Sequence, residues 1–167
     1  MKLIIRLTII ILIPISLVTG CEKDEIPNVK VDKDLILELN SKVVSVCTID
    51  SHDYFLDAYL WRDFMPISPP NGKPLISINW LICADSSAIP ESIELKQQYV
   101  IYGDSVWIAD YENETHQTPE YKQEKVSRNG PKWGPNVYVD VIAKITETKT
   151  NRDYYLKRDK VFIIRTD

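Results

Sequence analysis

The strongest constraint on the fold is an alternation of apolar and polar residues with a period of two, which dominates the chain after residue 34. In residues 137–146, for example, three valines at odd positions alternate with Tyr138 and Asp140. This period places successive side chains on opposite faces of an extended strand, whereas a helix would repeat every three to four residues. The sequence therefore predicts an all-β domain.

The clearest hairpin lies in residues 94–111, where a Gly-Asp dipeptide at positions 103 and 104 supplies a two-residue turn between apolar runs. Pairing outward from this turn sets Tyr102 opposite Ser105, and Val100 opposite Trp107. Further strands are predicted in residues 35–40, 43–49, 54–64, 75–84, 137–146, 154–156 and 161–164. The last three form a second, longer hairpin, and residues 54–64 also fit one or two helical turns.

Two of these strands carry specific expectations about their faces. In residues 35–40, the alternation aligns Leu35, Leu37 and Leu39 on one face. In residues 75–84, the face of Ile76 and Trp80 is expected to be buried because its side chains are the larger and more apolar ones.

Roughly seven to nine short strands with regularly spaced turn signals are typical of an antiparallel β-sandwich of immunoglobulin or fibronectin type III shape. A small β-barrel is the alternative. Two proline-rich loops, residues 65–74 and 128–136, interrupt the strands because proline cannot continue a β-ladder. We expect the folded domain to span residues 35–167.

The first 20 residues have the organisation of an export signal. Lys2 and Arg6 precede an apolar run at residues 7–18, which is shorter than the roughly 20 residues that a spanning helix requires. The run ends in Val-Thr-Gly-Cys at positions 18–21, which resembles the lipobox of bacterial lipoprotein signal peptides. This resemblance implies cleavage after residue 20 and a lipidated Cys21 as the first mature residue.

The segment after this cysteine is polar. Residues 22–25 resemble the export signal of surface lipoproteins of the Bacteroidota. Residues 21–34 have too few apolar side chains to offset the entropy of ordering, so we expect a lipidated cysteine followed by a flexible tether. The implied location is the outer membrane of the cell envelope, with the domain on the surface or facing the periplasm. A net charge of −4 without a concentrated basic patch argues against nucleic acid as a partner.

Two further cysteines, Cys47 and Cys83, have two possible states. An oxidising export compartment permits a disulfide between them. Cys83, however, shares its strand face with the polar Ser77 and Asn79, opposite the face expected to be buried, which favours two separate thiols.

No catalytic constellation is recognisable, because His52 and His116 are the only histidines and neither belongs to a nucleophile or metalloprotease motif. A cation could be held if the alternation continued through Asp110, Glu112, Glu114 and His116. A solvated acidic loop is the favoured interpretation of those residues, so we expect neither a metal nor another cofactor. A carboxylate pair of a small envelope hydrolase stays an alternative.

Aromatic side chains are the binding candidates, because they combine flat apolar surface with hydrogen-bonding edges. The four candidates are Trp107, Trp133, Tyr102 and Tyr111. Trp133 lies between two prolines in a stiff loop and is the one most expected at the surface, although rings of this kind more often complete the core. In addition, residues 104–106 resemble the O-glycosylation site of exported Bacteroidota proteins, which makes Ser105 a candidate for modification.

Together these features predict a membrane-anchored lipoprotein whose β-domain is a non-catalytic binding or interaction module for a protein partner or a glycan. The alternatives are the small hydrolase and a structural subunit of an envelope assembly.

Overall fold

The structure, a computed structural model, describes residues 26–112 and 117–167. These residues form nine strands and one helix. In chain order they are β1 (Val29–Val31), α1 (Lys33–Lys42), β2 (Val46–Ile49), β3 (His52–Asp63), β4 (Leu75–Cys83), β5 (Ile93–Tyr102), β6 (Ser105–Asp110), β7 (Lys122–Gly130), β8 (Tyr138–Glu147) and β9 (Arg152–Thr166). The all-β prediction is confirmed, whereas Cys21, Glu114 and His116 lie outside the described residues.

The strands form one curled sheet that makes a half-barrel, in the order β1-β6-β5-β8-β9-β3-β4-β7, with β2 paired to β3. Every pair is antiparallel except β3 and β9, which run parallel. The sheet is therefore mixed rather than purely antiparallel as predicted. β9 runs antiparallel to β8 in the hairpin, and in that direction its C-terminal part lies beside β3 and runs parallel to it.

β9 joins the two halves of the curled sheet. Its first part pairs with β8, and its last part, from Ile163 onward, pairs with β3. The change of partner follows Lys160, whose φ is +53° and whose N–H donates to the Asp140 carboxylate at 3.0 Å. The β8–β9 register shifts at the same place, between Val139 and Val141. This bulge bends the strand from one half of the sheet into the other.

Both predicted hairpins are confirmed. β5 and β6 pair in the predicted register, with Tyr102 opposite Ser105 and Val100 opposite Trp107. β8 and β9 form the longer hairpin. Residues 54–64, for which a helical alternative was open, belong almost entirely to β3.

Two apolar clusters lie on opposite faces of the sheet. The larger one fills the inside of the half-barrel and includes Leu60 and Leu81 from one half and Val100 and Val141 from the other. The smaller one lies outside β5, β6 and β8, where α1 covers the sheet through the buried Leu39.

The prediction of a strand at residues 35–40 was wrong, because these residues belong to α1. Asp32 begins the helix, since its carboxylate accepts a hydrogen bond from the Leu35 N–H at 2.9 Å. Leu35, Ile36 and Leu39 then share one helical face against the sheet, whereas Leu37 is 68% exposed. The short run of leucines satisfies either period, and the uncovered outer face of the sheet decides in favour of the helix.

The expected faces of β4 were also reversed. The buried face carries Ser77, Asn79 and Cys83, and the face of Ile76 and Trp80 is only half-buried. Apolar residues occur on both faces of this strand, so the direction of the curl decides which face becomes the core. Asn79 is accommodated inside because its side-chain amide donates to Ser77 and Gln98.

Two elements extend beyond what the sequence indicated. β1, inside the predicted tether, pairs with β6 and satisfies its edge, so the ordered part begins ahead of residue 35. β7 was not predicted because its residues are mostly polar, and it also overlaps the loop expected at residues 128–136. It is the edge strand beside β4 at one end of the curled sheet.

Candidate functional site

The two proline-rich loops are held together by one buried cation. The Arg62 side chain is 1% exposed and donates hydrogen bonds to the backbone carbonyls of Lys73 (3.0 Å), Lys132 (3.1 Å), Gly134 (2.7 Å) and Asn71. Burial lowers the pKa of this guanidinium. Because both loops are tied to the same side chain, the position of Trp133 is fixed relative to the sheet.

The four predicted binding rings divide into two pairs. Tyr102 and Trp133 lie together at one end of the half-barrel, with ring centroids 5.6 Å apart, and Tyr102 is 40% exposed. Trp107 is fully buried in the core, and Tyr111 packs against the same core with its hydroxyl buried. Burial raises the pKa of Tyr111. Trp107 and Tyr111 are therefore core residues rather than surface binding residues.

The reason for the burial of Trp107 is visible on the opposite strand. A Cβ atom placed on Gly130 of β7 would come within 2.7 Å of the Trp107 ring. The glycine leaves the space that the indole occupies, and the two strands close around it. Packing between residues this far apart in the sequence leaves no signal in the local alternation of apolar and polar residues.

A larger surface, not anticipated from the sequence, lies on the outside of the other half of the sheet. We call it the β3–β4 outer face. It consists of Phe55, Tyr59, Trp61, Ile76, Ile78, Trp80 and Ile82. The strand register brings these side chains together, because Phe55 pairs with Ile82, Tyr59 with Ile78 and Trp61 with Ile76. None of the seven belongs to either core cluster formed by the described residues.

Charged groups border this outer face. On the β7 side, the Lys122 ammonium lies 4.2 Å from the centre of the Trp80 ring. On the β9 side, Arg158 Nε lies 3.6 Å from an Asp57 carboxylate oxygen. Within the face, the ring centroids of Tyr59 and Trp61 are 5.4 Å apart. The surface is thus mainly apolar, with charges along its edges and one carboxylate, Asp57, within it opposite Trp80. Apolar surface with a few charged groups is common at protein interfaces.

The cysteines do not form a disulfide in this structure, and both thiols are buried and free. Cys47 pairs with Tyr54 on one side of β3, and Cys83 pairs with Tyr54 on the other. Two inter-strand spacings therefore separate them, which amounts to about 9.5 Å. A disulfide requires Cα atoms within about 7 Å.

Cys83 instead belongs to a cluster with His52 and Asp85. Asp85 accepts a hydrogen bond from the Cys83 thiol at 3.1 Å and is paired with His52 Nδ1 at 2.8 Å. The pKa of Asp85 is lowered, first by the Ser87 N–H and then by the Cys83 thiol, whereas burial raises the pKa of Cys83. The thiol donates to the carboxylate rather than to the imidazole and its pKa is raised, whereas an activated thiol nucleophile has a lowered pKa.

No sequence motif pointed to this cluster. His52 and Cys83 are 31 positions apart, and their approach depends on the pairing of β3 with β4. The acidic residues that were considered as cation ligands are in a different place. Asp110 accepts a hydrogen bond from Gln97, and Glu112 pairs with Arg128.

Ser105 stands at the first position of β6, half-buried between Val31 of β1 and Tyr102 of β5. The neighbouring Asp104 is exposed and pairs with Lys33 at 3.0 Å. Modification of Ser105 stays a prediction.

The chain matches no protein-family model, no curated protein and no solved structure. Among the described residues, no helix is long and apolar enough to cross a membrane.

Proposed function

We propose that this chain is an envelope lipoprotein, anchored through Cys21, whose β-domain binds a protein partner through the β3–β4 outer face. The observation that carries this proposal is the contrast between the two outer faces of the sheet. α1 covers the outer face of β5, β6 and β8, whereas no described element covers the β3–β4 outer face.

The composition of the face favours a protein over other partners. Branched aliphatic side chains and aromatic rings make up most of the face, with Asp57 as a carboxylate among them, and Tyr59 is 37% exposed. A contiguous apolar patch rimmed by polar residues marks an interaction site in soluble domains. Aromatic residues at the centre of such a patch provide much of the binding energy. The same face would be used if this chain is a structural subunit of an envelope assembly, because its neighbours in the assembly would also be proteins.

A glycan is the second candidate ligand, and it is favoured by a different observation. Tyr102 and Trp133 form a partly exposed ring pair beside a loop that Arg62 fixes in place. A pre-positioned ring pair provides a stacking surface at small entropic cost. The non-catalytic assignment is part of this proposal, and a small hydrolase is its alternative.

The immunoglobulin- or fibronectin-like sandwich belongs to the same proposal. The supporting feature is a core enclosed between two halves of a curled sheet, with β9 passing from one half to the other. Such a strand is typical of sandwiches whose sheets share a corner.

The proposed function is tested by recovery of a partner from the native envelope. We expect Tyr59→Glu in the full chain to reduce recovery of a co-purifying protein at least about tenfold, because a charge desolvated in an interface costs more than about 1.4 kcal/mol. Ile67→Glu is the matched control, since Ile67 is 90% exposed and lies outside the face.

A parallel glycan array with wild type and Trp133→Ala separates the two candidates. Equal protein recovery with Tyr59→Glu and Ile67→Glu would contradict the interface. Glycan binding that is lost in Trp133→Ala would assign the ligand to the other site.

A further inference from the structure

We propose that His52, Cys83 and Asp85 form a binding site for a divalent transition-metal ion of the zinc type. The three residues come from the start of β3, the end of β4 and the turn that follows it. This site is separate from the β3–β4 outer face, so the inference does not depend on the proposed function.

The geometry brings three ligand atoms together. The imidazole, thiol and carboxylate ligand atoms all lie within 4.8 Å of one another. Tetrahedral zinc with bond lengths of about 2.0 to 2.3 Å requires ligand atoms roughly 3.5 Å apart, so modest side-chain movements are sufficient. The short contacts of Asp85 with His52 and with Cys83 would be exchanged for bonds to the metal.

The types of ligand select the class of ion. Imidazole, thiolate and carboxylate together suit zinc, whereas calcium and magnesium require oxygen ligands. The Cys83 thiol would lose its proton when the Zn–S bond forms, and that proton would leave to solvent. Because the Asp85 side chain is 53% exposed and that of His52 is 38% exposed, the ion would enter from their side. The buried Cys83 would bind the ion from the side of the core.

A second observation points to a ligand at this place. Tyr54 is 1% exposed, and its hydroxyl lies near the Cys83 thiol but has no well-formed hydrogen bond with any residue that the structure describes. It stands directly opposite Cys83 in the β3–β4 pairing, so both side chains lie on the same face. A buried hydroxyl without a well-formed hydrogen bond, beside three potential ligands, is explained if a metal-bound water or the metal itself completes its contacts.

Cobalt titration of the full chain in detergent tests the site, because a Co²⁺–thiolate bond produces a charge-transfer absorption that Zn²⁺ then displaces. We expect this absorption in the wild type and its loss in Cys83→Ser. We expect His52→Ala to weaken Zn²⁺ affinity at least about 100-fold, since the loss of outer-shell partners alone costs roughly 10- to 100-fold. His52 is half-exposed, so its variant should remain folded, which circular dichroism checks.

The chain provides a matched control for each substitution. Cys47→Ser removes the thiol on the other side of Tyr54, and His116→Ala removes the other histidine. Both variants should bind as the wild type does. Absence of the thiolate absorption in the wild type would overturn the proposal. Retention of full Zn²⁺ affinity in folded His52→Ala would overturn it as well, and loss of the absorption in Cys47→Ser would place the metal at another thiol.

Discussion

At the scale of single residues, Arg62 has the greatest structural influence. A buried guanidinium carries five N–H donors in a rigid fork, and here backbone carbonyls of both proline-rich loops accept from it. The Arg62 guanidinium also lies over the Phe64 ring, 5.0 Å from its centre. The Arg165 guanidinium at the end of β9 lies 4.1 Å from the centre of the same ring. The side chain therefore connects two loops with the last strand.

We predict that Arg62→Lys destabilises the domain by about 3 kcal/mol or more, because lysine has too few donors for these four carbonyls and each hydrogen bond to a charged group contributes about 1.5 to 3 kcal/mol. Urea unfolding followed by tryptophan fluorescence measures the change. Arg165→Lys is the control, since its side chain is 45% exposed and the expected change is within about 0.5 kcal/mol. If both variants unfold at the same urea concentration, Arg62 does not hold the loops.

At the scale of elements, α1 is where the local pattern and the structure disagree. A strand would place residues 35, 37 and 39 on one face, whereas the helix separates Leu37 from Leu39. The helix is stabilised by the Asp32 cap and by burial against the sheet, since ten residues form a marginal helix on their own.

We predict that Leu39→Ala costs about 2 to 5 kcal/mol, because it opens a cavity beneath the helix. Leu37→Ala should change the free energy of unfolding by less than about 0.5 kcal/mol, because that side chain is in solvent. Thermal or urea unfolding of the two variants distinguishes a helix from a strand at these residues. Similar losses in both variants would indicate that these leucines share a face, as they would in a strand.

At the scale of the whole molecule, the predicted lipid anchor decides where the domain lies. The lipobox-like residues predict acyl chains on Cys21, and two or more such chains give a lasting anchor. Because β1 begins at Val29 and pairs with β6, only a short segment would separate the lipid from the folded domain.

We predict that the native chain fractionates with membranes and that Cys21→Ser moves it to the soluble fraction, while Cys47→Ser leaves it in the membrane. Mass spectrometry of the purified wild type should find an acylated Cys21 at the N-terminus. An intact Met1, or a wild type in the soluble fraction, would remove the lipoprotein assignment.

The sequence by itself determined the β class and the register of the β5–β6 hairpin. These features depend on neighbours along the chain, since alternation and turn residues act over a few positions. The tertiary structure alone decided which face of β4 became the core, that α1 is a helix, and that Trp107 is buried against Gly130. It also decided that Tyr54 separates Cys47 from Cys83 and that His52 meets Asp85. Each of these depends on the direction in which the sheet curls and on pairings between distant strands, and side chains that meet through such pairings leave no spacing in the sequence from which to predict them.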